Sequence, residues 1–264
     1  MQVLNPGVDL TAFYETLASA RERVLMLDYD GTLAPFKIRR EQARPYPGVT
    51  EALARVMRDD GTRVVIISGR RAADVARLLK LDQRPEIWGA HGWECISADG
   101  VLSVHEPDAT TAGALKEAES LASGLERDGV RVERKPASIA LHWRGLPAFT
   151  VARLREQSLA ALEPLTEGGT LEWLPFDGGI ELRAPGNNKQ HAVETVLSAT
   201  APGGSVAYLG DDVTDEDAFR AVKGRGLAVL VRAEYRRTAA DIWIKPPHEL
   251  KNFIGRWRRR EAKR

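Results

Sequence analysis

Asp28 and Asp30 stand one residue apart and are followed at once by Gly31 and Thr32. Two carboxylates this close repel each other unless a cation or a shared proton relieves them. With a cation beside one aspartate and the other free to move a proton, the pair is equipped for nucleophilic attack and general acid–base work. Gly31 lets the backbone turn sharply, and Thr32 offers a hydroxyl and an amide to an anion. Far downstream, Gly210-Asp211-Asp212-Val213-Thr214-Asp215-Glu216-Asp217 places four aspartates and one glutamate in eight positions. All-oxygen donors favour a hard cation, and a small octahedral ion that keeps its waters and takes a substrate phosphate is Mg2+. Capping of a helix by Asp212 or Thr214 is the other reading of this string, and the two are compatible.

Two further positions suit an anion. Ser68 precedes Gly69-Arg70 and opens a helical pattern, either as its N-cap or as part of an anion site at the helix N-terminus. Lys189 follows Pro185-Gly186-Asn187-Asn188 and begins another helical pattern. A cation there sits at the wrong end of the helix dipole, which a nearby anion explains better than open solvent does. Competing chemistries find no support. No Gly-x-Ser-x-Gly surrounds Ser68, no Walker-type loop occurs, and the five histidines lack zinc-binding spacing. His91, after the apolar Ile87-Trp88, reads from spacing as a structural histidine. Cys95 reads as a small hydrophobe beside Trp93 rather than a nucleophile.

The elements that must position these residues are legible as patterns. Residues 24–27, 64–67 and 206–209 are short uninterrupted apolar runs, as expected of strands buried on both faces of a parallel sheet. Helix-like spacing occupies 48–58, 70–80 and 189–199. The expected fold is therefore an α/β, doubly wound parallel sheet with its chemistry at the carboxyl edge. The middle differs. Helical patterns at 108–127 and 147–165 alternate with strand patterns at 130–135, 139–144, 171–173 and 180–183. This predicts an α+β domain at 105–184 inserted into a core formed by 1–104 and 185–264, with Pro185-Gly186 as the re-entry point. Alternation puts Arg131, Glu133 and Lys135 on one face, opposite Val130 and Val132. It likewise puts Glu181 and Arg183 opposite Ile180 and Leu182. Such a face suits sugar hydroxyls, although an ordinary solvated sheet face would have the same pattern.

Of 264 residues, 43% are hydrophobic and 28% charged, values that support a sizeable core. A net charge of +1 argues against a general nucleic-acid or membrane role. The basic run at 256–264 is expected to be a solvated helix end or tail. A lone cysteine excludes an internal disulfide and fits a reducing compartment. The N-terminus has no basic-then-apolar leader, and no apolar stretch approaches the roughly 18 residues of a membrane span. The expectation is a cytoplasmic monomer.

Taken in order, Asp28-Tyr29-Asp30-Gly31-Thr32, Ser68, Lys189 and the acidic string at 210–217 resemble the haloacid dehalogenase superfamily. Finer strings resemble its trehalose-6-phosphate phosphatase family over about residues 22–245. They are Ile-Ser-Gly-Arg at 67–70, His-Gly-Trp-Glu at 91–94, Glu-Arg-Lys at 133–135, Ala-Leu-His-Trp-Arg at 140–144 and Ile-Glu-Leu-Arg-Ala-Pro at 180–185. Gln190 departs from the glycine common after the lysine. The resemblance implies a Rossmann-like core with an inserted cap that selects the substrate. It implies that Asp28 is the nucleophile, a carboxylate of ordinary pKa that is ionised at neutral pH, and that it becomes an aspartyl phosphate. Asp30 is implied as general acid and base, with Thr32, Ser68 and Lys189 on the phosphate. Mg2+ would be held by Asp28, the main-chain carbonyl of Asp30 and Asp211, with Asp212 or Asp215 acting directly or through water. Substrate contacts are implied at Asp28, Tyr29, Asp30, Arg70, His91, Glu133, Lys135 and Glu181. The implied reaction is hydrolysis of trehalose 6-phosphate. A phosphatase for sucrose 6-phosphate or a glucosylglycerol phosphate, a sugar-phosphate mutase and a non-catalytic sugar-phosphate sensor remain open alternatives.

Overall fold

The computed structural model describes residues 1–58, 61–126, 129–176 and 178–257. The chain divides into two compact units, one comprising Met1–Ser103 with the residues from Asn188 onward, the other Val104–Asn187. The strands of the first sheet are β1 (Gln2–Val3), β2 (Arg23–Leu27), β3 (Arg63–Ile67), β4 (Glu86–Gly89), β5 (Glu94–Ile96) and β6 (Leu102–Val104). After the insertion come β11 (Ser205–Gly210), β12 (Leu227–Val231) and β13 (Ile242–Ile244). Among the described residues the order is β1-β13-β12-β11-β2-β3-β4-β5-β6. The six central strands, β13 to β4, are parallel, while β1 and β5 pair antiparallel to their neighbours. From β2 the chain winds outward through β3 and β4; from β11 it winds the other way through β12 and β13. The junction of β2 and β11 is therefore a topological switch point, the place where open α/β sheets leave a crevice for ligands.

Alternation explains why these strands read as continuous apolar runs. Leu25 and Leu27 of β2 join one core cluster, and Val24 and Met26 join another on the opposite face. Helices α1 (Leu10–Ser19), α2 (Val49–Arg58), α3 (Ala72–Leu79) and α8 (His248–Gly255) supply the first cluster. The second takes α6 (Lys189–Ser198) and α7 (Glu216–Val222). Truncating a fully buried leucine such as Leu25 would cost about 2–5 kcal/mol. Arg256 closes α8 and lies over the Tyr14 ring at 4.9 Å. The rest of the basic run, 258–264, lies outside the described residues.

The inserted unit is a two-layer α+β structure. Its helices are α4 (Ala109–Leu125) and α5 (Ala148–Leu162), and its strands are β7 (Arg131–Lys135), β8 (Ser138–His142), β9 (Glu172–Phe176) and β10 (Gly179–Arg183). They pair antiparallel in the order β7-β8-β10-β9. Val132, Ile139, Leu141, Ile180 and Leu182 pack on Leu115, Ala118 and Ala122 of α4 and Leu154 and Leu162 of α5. That leaves the other sheet face to polar side chains, as the alternation requires. Cys95 packs half-buried against the second cluster, and burial pushes its thiol up to about 12, which makes it unreactive.

Candidate active site

Three adjacent parallel strands deliver the chemistry. Asp28 follows β2, Ser68 follows β3 and Asp211 follows β11, all at the carboxyl edge. The Asp28 amide still donates to Leu209 O at 2.8 Å, so the ladder holds the backbone of Asp28. Beyond it the chain reverses, with the amides of Leu33 and Ala34 donating to Tyr29 O at 2.9 and 3.0 Å. Gly31 sits in this turn at φ +84°, and a Cβ there would lie 2.0 Å from Asp211 Oδ2. Only glycine lets the Asp211 carboxylate rest against the turn.

Lys189, the first residue of α6, resolves the misplaced cation. Its Nζ donates to Asp28 Oδ1 and to Asp215 Oδ1, each at 2.7 Å, and all three side chains are buried. Asp215 Oδ1 also accepts from the Tyr208 hydroxyl, while its Oδ2 accepts from the amides of Asp211 and Asp212 at 3.0 Å each. Four donors fill the lone pairs that a carboxylate offers. Asp215 is thus a brace for Lys189 and for the acidic turn. Asp212 caps the short turn Val213–Asp215 by accepting from the Val213 amide at 2.7 Å, which is the capping role anticipated for it.

Asp28, Asp211 and Asp215 each offer an oxygen, all within 4.8 Å of one another. Were all three carboxylates ionised, the one ammonium would leave two negative charges uncompensated in a buried site. The Asp211 Oδ1 and Thr32 Oγ1 atoms are buried without a hydrogen-bond partner. Orphaned oxygens and excess negative charge in an all-oxygen donor set fit a hard divalent cation with an anionic ligand beside it. The electrostatics correct one expectation. Burial pushes the Asp28 carboxyl up to about 7 despite Lys189, rather than leaving it at an ordinary carboxylate value. Asp211 is raised well above that range by burial, then by Asp28 and Asp215. Burial works against Asp215 too, but Lys189 outweighs it and holds Asp215 below its usual range. Burial alone would lower Lys189; Asp215 and Asp28 reverse this and keep it charged.

The other core residues divide. Asp30 is gripped by Arg70, with Nε donating to Oδ2 at 2.6 Å and Nη2 to Oδ1 at 2.7 Å. Ser68 is buried, and its Oγ accepts from the Arg70 amide at 3.2 Å. It is not the cap of the following helix: α3 begins only at Ala72, whose amide is taken by the buried Glu94 carboxylate. His91 has φ 58° and lies with its ring where a Cβ of Gly69 would be, beside Ser68. That left-handed conformation is uncommon for a residue with a side chain and marks a locally strained position. Tyr29 is a correction: its side chain is wholly buried in the core and its hydroxyl donates to Ala43 O at 2.7 Å, so only its main chain could serve a ligand.

In the inserted unit, Lys135 Nζ donates to both oxygens of Glu181 at 2.9 Å, with the Ser138 hydroxyl on Glu181 Oε1. Lys135 and Glu181 are 3% and 2% exposed, so this is a buried pair rather than a solvated face. Glu133 Oε2 lies 2.7 Å from His142 Nε2.

Two residues of the core site escaped the sequence reading. Tyr208 stands in an otherwise aliphatic strand, and a buried tyrosine hydroxyl needs a partner, a signal that was present. Arg236 lies in the connection to β13, with no motif to betray it. Its Nε donates to Asp211 O at 3.1 Å, its Nη2 to Asp212 O and its Nη1 to Glu216. It clamps the acidic turn from behind.

Comparison with known proteins places this geometry. The family model described as trehalose-phosphatase matches residues 26–241. A trehalose-phosphate phosphatase of Mycobacterium marinum is 33% identical over 251 residues, covering 88% of this chain and 60% of the relative. Among solved structures, the C-terminal domain of a C. albicans trehalose-6-phosphate phosphatase superimposes with a TM-score of 0.77 at 19% identity, covering 97% of this chain and 99% of that one. A haloacid dehalogenase-like hydrolase from Bacteroides thetaiotaomicron gives a TM-score of 0.64 at 15% identity, covering 89% and 99%. These two likenesses show the fold. The chain spans 60% of the M. marinum protein's length, and as little as 18% of a longer curated relative. No helix among the described residues is long and apolar enough to cross a membrane.

Proposed function

The chain belongs to the trehalose-phosphatase family, and on that premise we propose that it is a Mg2+-dependent phosphatase hydrolysing trehalose 6-phosphate through an aspartyl phosphate. The observation that carries the reading is Lys189 bridging Asp28 and Asp215 at 2.7 Å each, beside the unpartnered Asp211 oxygen.

Asp28 and Asp211, with the main-chain carbonyl of Asp30, would hold the metal, and Asp212 would support it directly or through water, while Asp215 positions Lys189 and the acidic turn. Bound there, Mg2+ supplies the positive charge that keeps Asp28 ionised and offsets its repulsion from the phosphate. Lys189 orients the nucleophile through Oδ1 and adds charge beside the incoming phosphoryl group. The Asp28 oxygen attacks phosphorus, and the bond from phosphorus to the sugar oxygen breaks. Asp30 gives that oxygen a proton. Water then attacks the phosphoryl group, Asp30 takes the water's proton, and Asp28 returns as a carboxylate with inorganic phosphate released. Thr32 and Ser68 steady the phosphate oxygens. Arg70 takes one lone pair on each Asp30 oxygen, which orients the carboxyl and leaves a site on it for a proton. Arg70 would also contact the substrate, with His91 as a further contact from the core. Glu133, Lys135 and Glu181 of the inserted unit bind sugar hydroxyls, which makes that unit the source of substrate selection. The setting is cytoplasmic trehalose synthesis.

The test is phosphate release from a panel of sugar phosphates with and without Mg2+. Trehalose 6-phosphate is expected to turn over faster than glucose 6-phosphate, sucrose 6-phosphate or a glucosylglycerol phosphate, and only with the metal. Turnover no faster than that of glucose 6-phosphate overturns the substrate assignment, and a phosphosugar product without phosphate release indicates a mutase.

A further inference from the structure

Phe176 lies on the polar face of the four-stranded sheet, away from the apolar side where Leu141, Ile180 and Leu182 pack. The register shows this directly. Arg131, His142, Gly179 and Phe176 are cross-strand partners in one row, and Glu133, Ala140, Glu181 and Leu174 form the next. Partners in a row share a face. A Cβ on Gly179 would lie 2.1 Å from Phe176 Cζ and 2.4 Å from Cε2, so the ring rests over the bare Cα of Gly179. There it meets the His142 ring, with centroids 5.1 Å apart, and His142 is tied in turn to Glu133 at 2.7 Å. The ring is half-buried, not enclosed. The charged row of Glu133 and Glu181 lies two residues along the strands, roughly 7 Å away at about 3.4 Å per residue. That separation is comparable to the width of one pyranose. A pyranose presents C–H bonds on its face and hydroxyls at its rim, so an aromatic plate next to carboxylates and an ammonium is chemically complementary to it.

We propose that Phe176, backed by His142 and accommodated by Gly179, is the stacking platform for a pyranose ring of the sugar phosphate. This rests on the proposed sugar-phosphate activity and adds an apolar contact to the hydroxyl contacts of Glu133, Lys135 and Glu181. The experiment measures kcat and KM of the full chain with Mg2+ for trehalose 6-phosphate and for p-nitrophenyl phosphate, which has no pyranose. Phe176→Leu is expected to lower the preference for the sugar phosphate by about threefold to tenfold, the range for one aromatic contact, with the change in KM. Phe176→Tyr retains the preference because it retains the plate, and a melting temperature equal to the parent's checks that it folds. An unchanged preference in Phe176→Leu overturns the platform while leaving the phosphatase assignment intact. A parent enzyme that prefers no pyranosyl phosphate over p-nitrophenyl phosphate overturns both. A fall in kcat alone, or an equal fall in Phe176→Tyr, also contradicts it.

Discussion

Lys189 shows how a single side chain can be both structural and chemical. Its ammonium is the positive partner of two buried carboxylates, and neither Asp28 nor Asp215 has another cation at bonding distance among the described hydrogen bonds. Replacing it with methionine keeps much of the volume and removes the charge. Breaking a buried ion pair this way costs about 3–5 kcal/mol. Lys189→Met is therefore expected to lower the urea midpoint markedly and to abolish phosphate release. The stability defect should shrink as pH falls, because protonation relieves the stranded carboxylates. A variant that unfolds like the parent contradicts this role. At this scale the sequence was informative wherever a residue's type conflicted with its place, as with a lysine at a helix start. It was silent where the partner lay far off in the chain, as with Arg236 and the acidic turn. It misled at Tyr29, whose position in the motif concealed that its side chain turns into the core. It misled at Asp28 too, since burial, which moves its pKa, is a property of the fold.

At the scale of elements, the turn after β2 holds the Asp211 carboxylate against Gly31. Gly31→Ala would bring a Cβ 2.0 Å from Asp211 Oδ2 at a φ of +84°. The expected result is a loss of about 1–3 kcal/mol and a weakened affinity for Mg2+ in a direct titration. Gly224→Ala is the control, since its φ is +75° with no atom within 4 Å of the added Cβ. It bears the backbone strain without disturbing the metal titration, and equal metal affinities in the two variants would refute the argument. The apolar runs at 24–27 and 64–67 correspond to β2 and β3, and the helical pattern at 189–199 to α6, because continuous apolarity and helical spacing survive in buried elements. Strands β1 and β13, of two and three residues, are too short to leave a pattern. The Leu227–Val231 run of β12 was as apolar as β2 but is followed by Arg232 rather than by an acidic or glycine-rich string that would draw attention to it.

For the whole molecule, the buried acids couple stability to pH and to metal. The Asp28 carboxyl binds its proton more tightly folded, at about 7, than unfolded, at an ordinary value of 3.8. Its contribution to stability without metal is therefore fully present below about pH 4 and is lost as pH rises towards 7. Asp215, held below its usual range, has the opposite sign, but its effect falls at more acidic pH. Mg2+ should consequently raise the melting temperature more at pH 8 than at pH 5. At a concentration one hundred times its dissociation constant it adds about 2.7 kcal/mol. A metal-induced shift that is equal or larger at pH 5 would contradict the placement of the ion among these carboxylates. That the chemistry gathers at the carboxyl edge was legible in the polar ends of the strands, whereas the sheet order, with its switch point between β2 and β11, was not. Nor was the identity of the sugar: it depends on side chains of the inserted unit whose alternation alone also describes an ordinary sheet face.

The most direct test is a single turnover of trehalose 6-phosphate with Mg2+, quenched in acid, followed by mass spectrometry of the peptide containing Asp28. A transient phosphoryl adduct on Asp28 is predicted, absent in Asp28→Asn, which should fold normally and release no phosphate. Phosphate release at the parental rate from Asp28→Asn, or turnover without any adduct on that peptide, would contradict it.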